Sequence, residues 1–199
     1  MNKIITIGRE FGSGGRELGR RLAEELGFQY YDREILTEIA RHTSMSEDYI
    51  RQVVERTPNH LFPITVGQSF SYINDYSLQQ MQTIYQAQSD IIRALADKSD
   101  CVIVGRCADY ILEDRKPLRV FVYAGMDSRV RRCARRSTAP QPPTEKELRR
   151  IIREIDRNRA RYYEYYTDRR WGDKLNYDLC VNTTDVVIRD IVPHLAKML

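Results

Sequence analysis

Short apolar segments alternate with longer amphipathic segments along the chain. Five runs of four to six residues are almost continuously apolar, namely Ile4–Ile7, Phe28–Tyr31, Cys101–Val104, Leu118–Tyr123 and Tyr177–Val181. Continuous runs, in contrast to alternating ones, are typical of strands that are covered on both faces in a parallel sheet. Helical periodicity separates them, at residues 16–26, 33–42, 46–56, 77–97, 127–136, 144–170 and 185–198. The pattern predicts an α/β fold with a five-stranded parallel sheet flanked by helices.

Two segments interrupt this alternation. Residues 57–76 contain two prolines and several aromatic residues without a clear period, which predicts an insertion over a site, within about residues 33–80. Residues 137–143 (STAPQPP) separate two arginine-rich helices, which is typical of a lid tip or hinge, and we expect a lid over about residues 131–160. We expect both segments to belong to one domain that spans residues 1–199.

The segment Gly8–Arg20, GREFGSGGRELGR, joins the first predicted strand to the first predicted helix. Small residues at the positive end of a helix dipole leave backbone N–H groups that converge on an anion, so the predicted ligand is phosphate. The predicted cradle consists of Gly12, Ser13, Gly14 and Gly15. Arg16 follows the cradle and is the predicted cation.

This segment departs from the standard phosphate-loop pattern GxxxxGK[ST]. Glu10 stands at the first glycine, and Glu17 stands at the hydroxyl residue that would hold Mg²⁺. A dinucleotide-binding pattern GxGxxG fits Gly12 and Gly14 but meets Glu17 at its third glycine, although Asp32 lies 20 residues after Gly12, where a ribose-binding acid is expected. A purely structural glycine turn is a further alternative.

Composition excludes several classes of protein. The chain is 42% hydrophobic and 30% charged, which is ordinary for a globular protein and argues against disorder. Its apolar runs are far shorter than the roughly 20 residues that cross a bilayer, and the N-terminus has no signal-peptide pattern. The four cysteines show no CxxC spacing, and the three histidines have no metal-ligand spacing. We therefore expect a cytoplasmic protein with reduced cysteines, no membrane association and no side-chain metal site.

Positive charge is concentrated in one part of the chain. The net charge is +4, yet eleven arginines and Lys146 lie between Arg129 and Arg161, against four acidic residues. Such a block suits an anionic ligand, either a nucleotide or a nucleic acid, or forms a solvated helical face. No nucleic-acid-binding motif accompanies it, so we do not expect a nucleic-acid partner.

One arginine of this block lies on an apolar helical stripe. The stripe consists of Leu148, Ile151, Ile152, Ile155, Tyr162, Tyr163 and Tyr166. Helical phasing places Arg159 on the same face, so its guanidinium requires an anionic partner, either a buried carboxylate or a ligand phosphate. Asp156 lies one turn earlier and is a candidate to satisfy or orient it. Arg149, Arg150, Arg157 and Arg161 point away from the stripe.

Three further segments complete a pattern with the glycine loop. They are YYDREIL (30–36), VIVGRCADYIL (102–112) and LRVFVYAGMDSRVRRCARR (118–136). With these motifs the chain resembles the cytidylate kinases, most closely the cytidylate kinase-like P-loop family, from Ile4 to about Asp185. The resemblance implies a three-layer P-loop kinase fold with an acceptor-side insertion and an arginine-rich lid. It also implies ATP- and Mg²⁺-dependent phosphoryl transfer to a nucleoside monophosphate, with CMP or dCMP as the first candidates.

The resemblance also implies roles for particular residues. On the ATP side, the loop from Gly12 to Gly15, with Arg16, grips the β-phosphate, and the segment Asn182–Asp185, which includes Thr183, contacts adenine. On the acceptor side, the implied contacts are Asp32 after the second strand and Arg106 after the third. The implied clamps on the transferred phosphoryl group are Arg131, Arg135 and Arg159, together with Arg16.

Three positions differ from the family pattern. The GRD motif becomes Gly105-Arg106-Cys107, and Asp109, two residues on, is the candidate replacement for its aspartate. Glu38 stands where an acceptor-phosphate arginine is expected, with Arg33 or Arg41 as the candidate substitute. Glu17 replaces the Mg²⁺-holding hydroxyl. Two alternatives to a nucleoside monophosphate kinase are a P-loop kinase for another small metabolite and a nucleotide-binding regulatory module without turnover.

Overall fold

Parallel strands form one sheet in the computed structural model, which describes residues 2–55, 75–136 and 142–198. The strands are β1 (Ile4–Arg9), β2 (Gln29–Tyr31), β3 (Cys101–Val104), β4 (Leu118–Tyr123) and β5 (Leu179–Asn182). Their order across the sheet is β2-β3-β1-β4-β5, so β1 is central. Ile5 and Ile7 of β1 are fully buried, as a strand covered on both faces requires. The predicted five-stranded parallel sheet is confirmed.

Helices cover both faces of the sheet. They are α1 (Gly15–Leu26), α2 (Glu34–Thr43), α3 (Glu47–Glu55), α4 (Asp75–Lys98), α5 (Ala108–Ile111), α6 (Met126–Arg136), α7 (Glu145–Thr167) and α8 (Ile188–Ala196). One core contains Leu18 and Leu22 of α1 with Val192 of α8, and the other contains residues of α2, α4, α5 and α7, such as Ile39 and Ile92. This arrangement confirms the predicted three-layer α/β fold. None of the described helices combines the length and apolarity needed to cross a membrane.

Helix boundaries follow local chemistry. Thr144 and Glu147 form a reciprocal capping box at the start of α7, where the pattern predicts a helix from residue 144. The helix starts predicted at residues 127 and 185 are shifted. Helix α6 begins one residue before Asp127, and α8 begins only at Ile188, because Asp185 adopts a left-handed turn with φ 53°. The four residues of α5 were not predicted, since one helical turn is too short for a periodic pattern.

The carboxyl ends of the strands define where a ligand can bind. In parallel α/β sheets the crevice lies at this edge, where connections from neighbouring strands leave in opposite directions. Here the edge carries Arg9 at the end of β1, Asp32 after β2, Gly105 and Arg106 after β3, and Thr183 after β5. The predicted insertion and lid tip lie largely within residues 56–74 and 137–141, which are outside the described residues, and both stay predictions.

Candidate active site

The glycine loop takes its shape from two residues with positive φ. Strand β1 extends to Arg9, two residues beyond the predicted end, and α1 begins at Gly15. Gly12 has φ 79° and Gly14 has φ 88°, a region that favours glycine. A Cβ atom on Gly12 would lie 2.9 Å from Sγ of Cys133 and 3.0 Å from the carbonyl oxygen of Arg129. The loop is therefore pressed against α6, and a side chain at Gly12 would displace it.

Ser13 is fully buried and holds the loop together from within. Its hydroxyl donates to the carbonyl of Glu10 at 2.8 Å and accepts from the Gly15 N–H at 3.4 Å. Its carbonyl accepts from the Thr183 hydroxyl at 2.6 Å and from Arg132 at 3.3 Å. Thr183 thus anchors the loop to the end of β5. This arrangement leaves the first N–H groups of α1, which have no intrahelical partner, at the mouth of the loop.

Four guanidinium groups gather beside the loop. Nε of Arg16 lies 2.6 Å from a carboxylate oxygen of Asp32. Burial lowers the pKa of Arg9 well below its ordinary value, and three nearby guanidinium groups lower it further. These belong to Arg159, Arg106 and Arg16, and the Asp32 carboxylate acts in the opposite direction. The edge of the sheet therefore carries a positive field that an anion would relieve.

Arg159 reaches the loop from α7, on the face that the stripe predicts. Its Nη1 donates to the carbonyl of Arg9 at 3.0 Å, and its guanidinium lies over the Phe11 ring, 5.6 Å from the centroid. The same nitrogen is 3.9 Å from a carboxylate oxygen of Asp156, the residue predicted to orient it. Asp156 is shared, however, because its second partner lies on α6.

That partner is Arg129, whose side chain is only 5% exposed. Its Nε donates to the Phe11 carbonyl at 2.7 Å, and its other nitrogens pair with Asp156 and, at 3.1 Å, with Glu10. Asp156 also accepts from the Phe11 N–H at 2.8 Å. Burial raises the pKa of Glu10, whereas the Ala124 N–H and Arg129 lower it. One ionic network thus joins the loop to α6 and α7.

Glu17, at the usual hydroxyl position, contacts two arginines. Its carboxylate oxygens lie 3.1 Å from Arg21 and 2.6 Å from Arg136, the last residue of α6. The carboxylate thus ties α1 to α6. Within residues 2–55, 75–136 and 142–198, no three His, Cys, Asp or Glu side chains form a group that could hold a metal ion.

Other predicted site residues lie apart from this cluster. Arg41 is exposed on α2 and pairs with Glu38 at 2.8 Å. Arg131 and Arg135 are exposed on α6, and Arg131 contacts Asp185. Asp109 is 7% exposed and accepts a hydrogen bond from the Tyr163 hydroxyl at 2.7 Å, which ties α5 to α7.

The structure therefore brings together the loop residues, Arg16, Asp32, Arg106 and Arg159. Sequence reasoning missed Arg9, Arg129 and Arg132. Arg9 is the last residue of β1, and a charged residue directly after an apolar run was a usable signal. Arg129 and Arg132 carried no such signal. Helix α6 contains five arginines, and the sequence alone does not show which of them point inward.

A glycine loop follows the central strand and guanidinium groups cluster beside it, an arrangement typical of phosphate-binding P-loop proteins. The model of the cytidylate kinase-like family matches residues 4–185. The cytidylate kinase of Desulfurococcus amylolyticus is 26% identical, over 99% of this chain and 96% of its own length. The chain belongs to the cytidylate kinase-like family and is a nucleoside monophosphate kinase-like phosphotransferase.

Solved structures agree with this fold. An uncharacterised protein from Eubacterium ventriosum superposes with a TM-score of 0.71 at 27% identity, covering 99% of this chain and 98% of that one. Shikimate kinase from Bacteroides thetaiotaomicron superposes with a TM-score of 0.58 at 16% identity, covering 98% and 97%. The second likeness concerns the fold alone. Both support the α/β fold with a five-stranded parallel sheet.

Because the ion pair between Arg129 and Asp156 is buried, we expect its loss to lower the stability of the protein strongly. Asp156→Asn removes the negative charge that pairs with Arg129. We expect the free energy of unfolding to fall by about 3 kcal/mol, because a buried guanidinium loses a charged partner. Urea denaturation measures this change. Asp127→Asn is the matched control: it removes the exposed partner of Arg149, which also joins α6 to α7, and should leave stability unchanged within error. Equal effects of the two substitutions would contradict the assignment.

The buried carboxyl group of Asp109 makes the stability of the folded protein depend on pH. Burial raises its pKa, and the Tyr163 hydrogen bond only partly opposes this. The folded state then holds the proton more tightly than the unfolded state, so stability is lost as pH rises from about 4 through the raised value. Asp109→Asn should make the protein more stable at pH 7, and the difference from wild type should vanish below about pH 4. Thermal unfolding between pH 3 and 8 measures this; a less stable variant at pH 7 would contradict it.

Proposed function

We propose that the protein transfers the γ-phosphoryl group of ATP to a nucleoside monophosphate, with CMP or dCMP as the preferred acceptor. The observation that carries this proposal is the convergence of the glycine loop and the guanidinium cluster at the carboxyl end of β1. Phosphoryl transfer requires little covalent chemistry from the protein. It requires alignment of the two substrates and positive charge around the oxygens of the transferred group.

On the donor side, we assign the β-phosphate of ATP to the loop from Gly12 to Gly15. Positive φ at Gly12 and Gly14 turns the backbone, and the start of α1 adds its orphan N–H groups and dipole. Thr183 supports the loop from below, through the Ser13 carbonyl. We assign adenine to the neighbouring segment Asn182–Asp185, whose Asp185 contacts Arg131 of α6.

On the acceptor side, we assign the nucleoside monophosphate to Asp32 and Arg106. They follow β2 and β3, which lie side by side in the sheet. A cytidine acceptor is supported by the matching relative, which is a cytidylate kinase. Asp109 is the candidate for reading the base, and its contact with Tyr163 would have to be shared with the base. Arg159 and Arg16 would clamp the transferred phosphoryl group from the lid side and the helix side.

ATP is proposed to act with Mg²⁺, as the family resemblance implies. Because Glu17 contacts Arg21 and Arg136, the ion would be held by phosphate oxygens and water, which Mg²⁺ commonly retains. No step assigned to the protein runs through it. The four cysteines are unpaired thiols, which supports our proposal that the protein works in the cytoplasm, and we propose that residues 1–199 act as one kinase domain.

One observation favours a second function. Glu17 stands at the hydroxyl position and its carboxylate is held by two arginines. A protein that retains the phosphate cradle without the metal-holding hydroxyl suits a nucleotide-binding regulatory module without turnover. The two functions differ in one measurable property, which is ADP formation in the presence of an acceptor.

An acceptor panel tests the proposed function. Purified protein is mixed with Mg²⁺ and ATP and with each nucleoside monophosphate in turn, and ADP formation is followed. We expect turnover with CMP or dCMP at a kcat/KM at least tenfold above that of the other acceptors, since this difference corresponds to about 1.4 kcal/mol of transition-state binding. ATP binding without turnover on any acceptor would instead identify the regulatory module.

A further inference from the structure

A standard P-loop places a lysine at the start of its helix, where the ammonium group reaches the terminal phosphates. Here α1 begins with Gly15, which has no side chain, and the next residue, Arg16, lies 2.6 Å from the Asp32 carboxylate. The position above the loop is therefore open to a cation from another element. Strand β1 ends directly beside it, at Arg9.

The side chain of Arg9 crosses this position. A Cβ atom on Gly15 would lie 2.5 Å from Cβ and 3.1 Å from Cγ of Arg9, so the arginine stem lies on the first residue of the helix. A Cβ atom on Gly105 would lie 1.9 Å from Nη1 of Arg9 and 2.8 Å from Cζ. The guanidinium therefore lies against the glycine that follows β3. Arg9 thus spans the sheet edge from the donor loop to the Arg106 segment.

Arg9 is buried among charged groups. Burial and the guanidinium groups of Arg159, Arg106 and Arg16 lower its pKa, and the carboxylate of Asp32 raises it. That carboxylate lies against Arg16. Nε of Arg9 is buried and has no hydrogen-bond partner among the described residues. Burying a donor and a charge in this way costs free energy unless a ligand supplies the acceptor.

We propose that Arg9 is a catalytic residue that contacts the transferred phosphoryl group and takes the place of the P-loop lysine. The proposal rests on the proposed function. An acceptor phosphate oxygen forms a bond to the γ-phosphorus, and the bond to the β-phosphate oxygen breaks, with its electron pair leaving on ADP. Arg9 neutralises the charge on the γ-phosphate oxygens during this exchange, as arginines do in phosphoryl transfer. Arg159 holds the Arg9 backbone in place, because its Nη1 donates a hydrogen bond to the Arg9 carbonyl oxygen at 3.0 Å.

Arg9→Met is the sharpest variant, because methionine keeps the stem that packs on Gly15 and removes the charge. We expect kcat to fall about 10²–10³-fold, the loss typical of removing one transition-state hydrogen-bond donor. Because the variant also removes a buried charge and, with it, the repulsion from three guanidinium groups, we expect Tm to rise by about 2–4 °C. Arg9→Lys should restore part of kcat. Arg20→Met, which loses only the exposed pair with Glu24, should leave kcat unchanged.

A binding series separates this proposal from the proposed function. Calorimetry with AMP, ADP and ATP should show an affinity loss for Arg9→Met that is largest for ATP, about tenfold, and small for AMP. If wild type turns over no acceptor but this ATP-specific loss appears, the proposed function fails and the phosphate contact stands. If Arg9→Met turns over normally, or loses Tm with unchanged ATP affinity, Arg9 is structural and the inference is overturned.

Discussion

The buried guanidinium of Arg129 joins three parts of the chain that must act together. It binds the Phe11 carbonyl of the glycine loop, Glu10 at the start of that loop, and Asp156 of α7. Because a buried arginine requires partners on all sides, the loop, α6 and α7 cannot move independently without leaving a charge unpaired. This constraint places Arg159, one turn after Asp156, directly over the loop. The glycine loop, α6 and α7 are therefore held in one arrangement at this edge of the sheet.

Positive charge at the sheet edge is the second consequence of this arrangement. Arg16, Arg106 and Arg159 each act on the buried guanidinium of Arg9 there, and Asp32 acts in the opposite direction. Such a cluster opposes folding, since like charges in a partly buried setting repel. Strain of this kind is commonly kept where a ligand relieves it, and phosphate is the ligand whose charge and geometry match several guanidinium forks. The loop beside the cluster offers N–H groups to the same ligand.

The sheet, its parallel arrangement and most helices follow from the sequence, because continuous apolar runs and 3.6-residue periods report burial directly. The glycine loop and Arg159 were also predictable, the first from three glycines before a helix and the second from its phase on α7. Arg9 and Arg129 were not predicted, since their roles depend on neighbours far along the chain. Arg129 finds Asp156, 27 residues later, and Arg9 packs on Gly105 at the end of another strand. Periodicity carries no signal for such contacts.

We propose that the glycine loop and the arginines at the carboxyl end of β1 hold the phosphates of both substrates. A crystal structure with a bisubstrate analogue, adenosine and cytidine joined through a chain of phosphates, tests it most directly. The chain of phosphates should lie within hydrogen-bond distance of the N–H groups of residues 12–16 and of the Arg9 and Arg159 guanidinium groups. Phosphates bound instead on the outer face of α7, at Arg150, Arg153, Arg157 and Arg161, would contradict it.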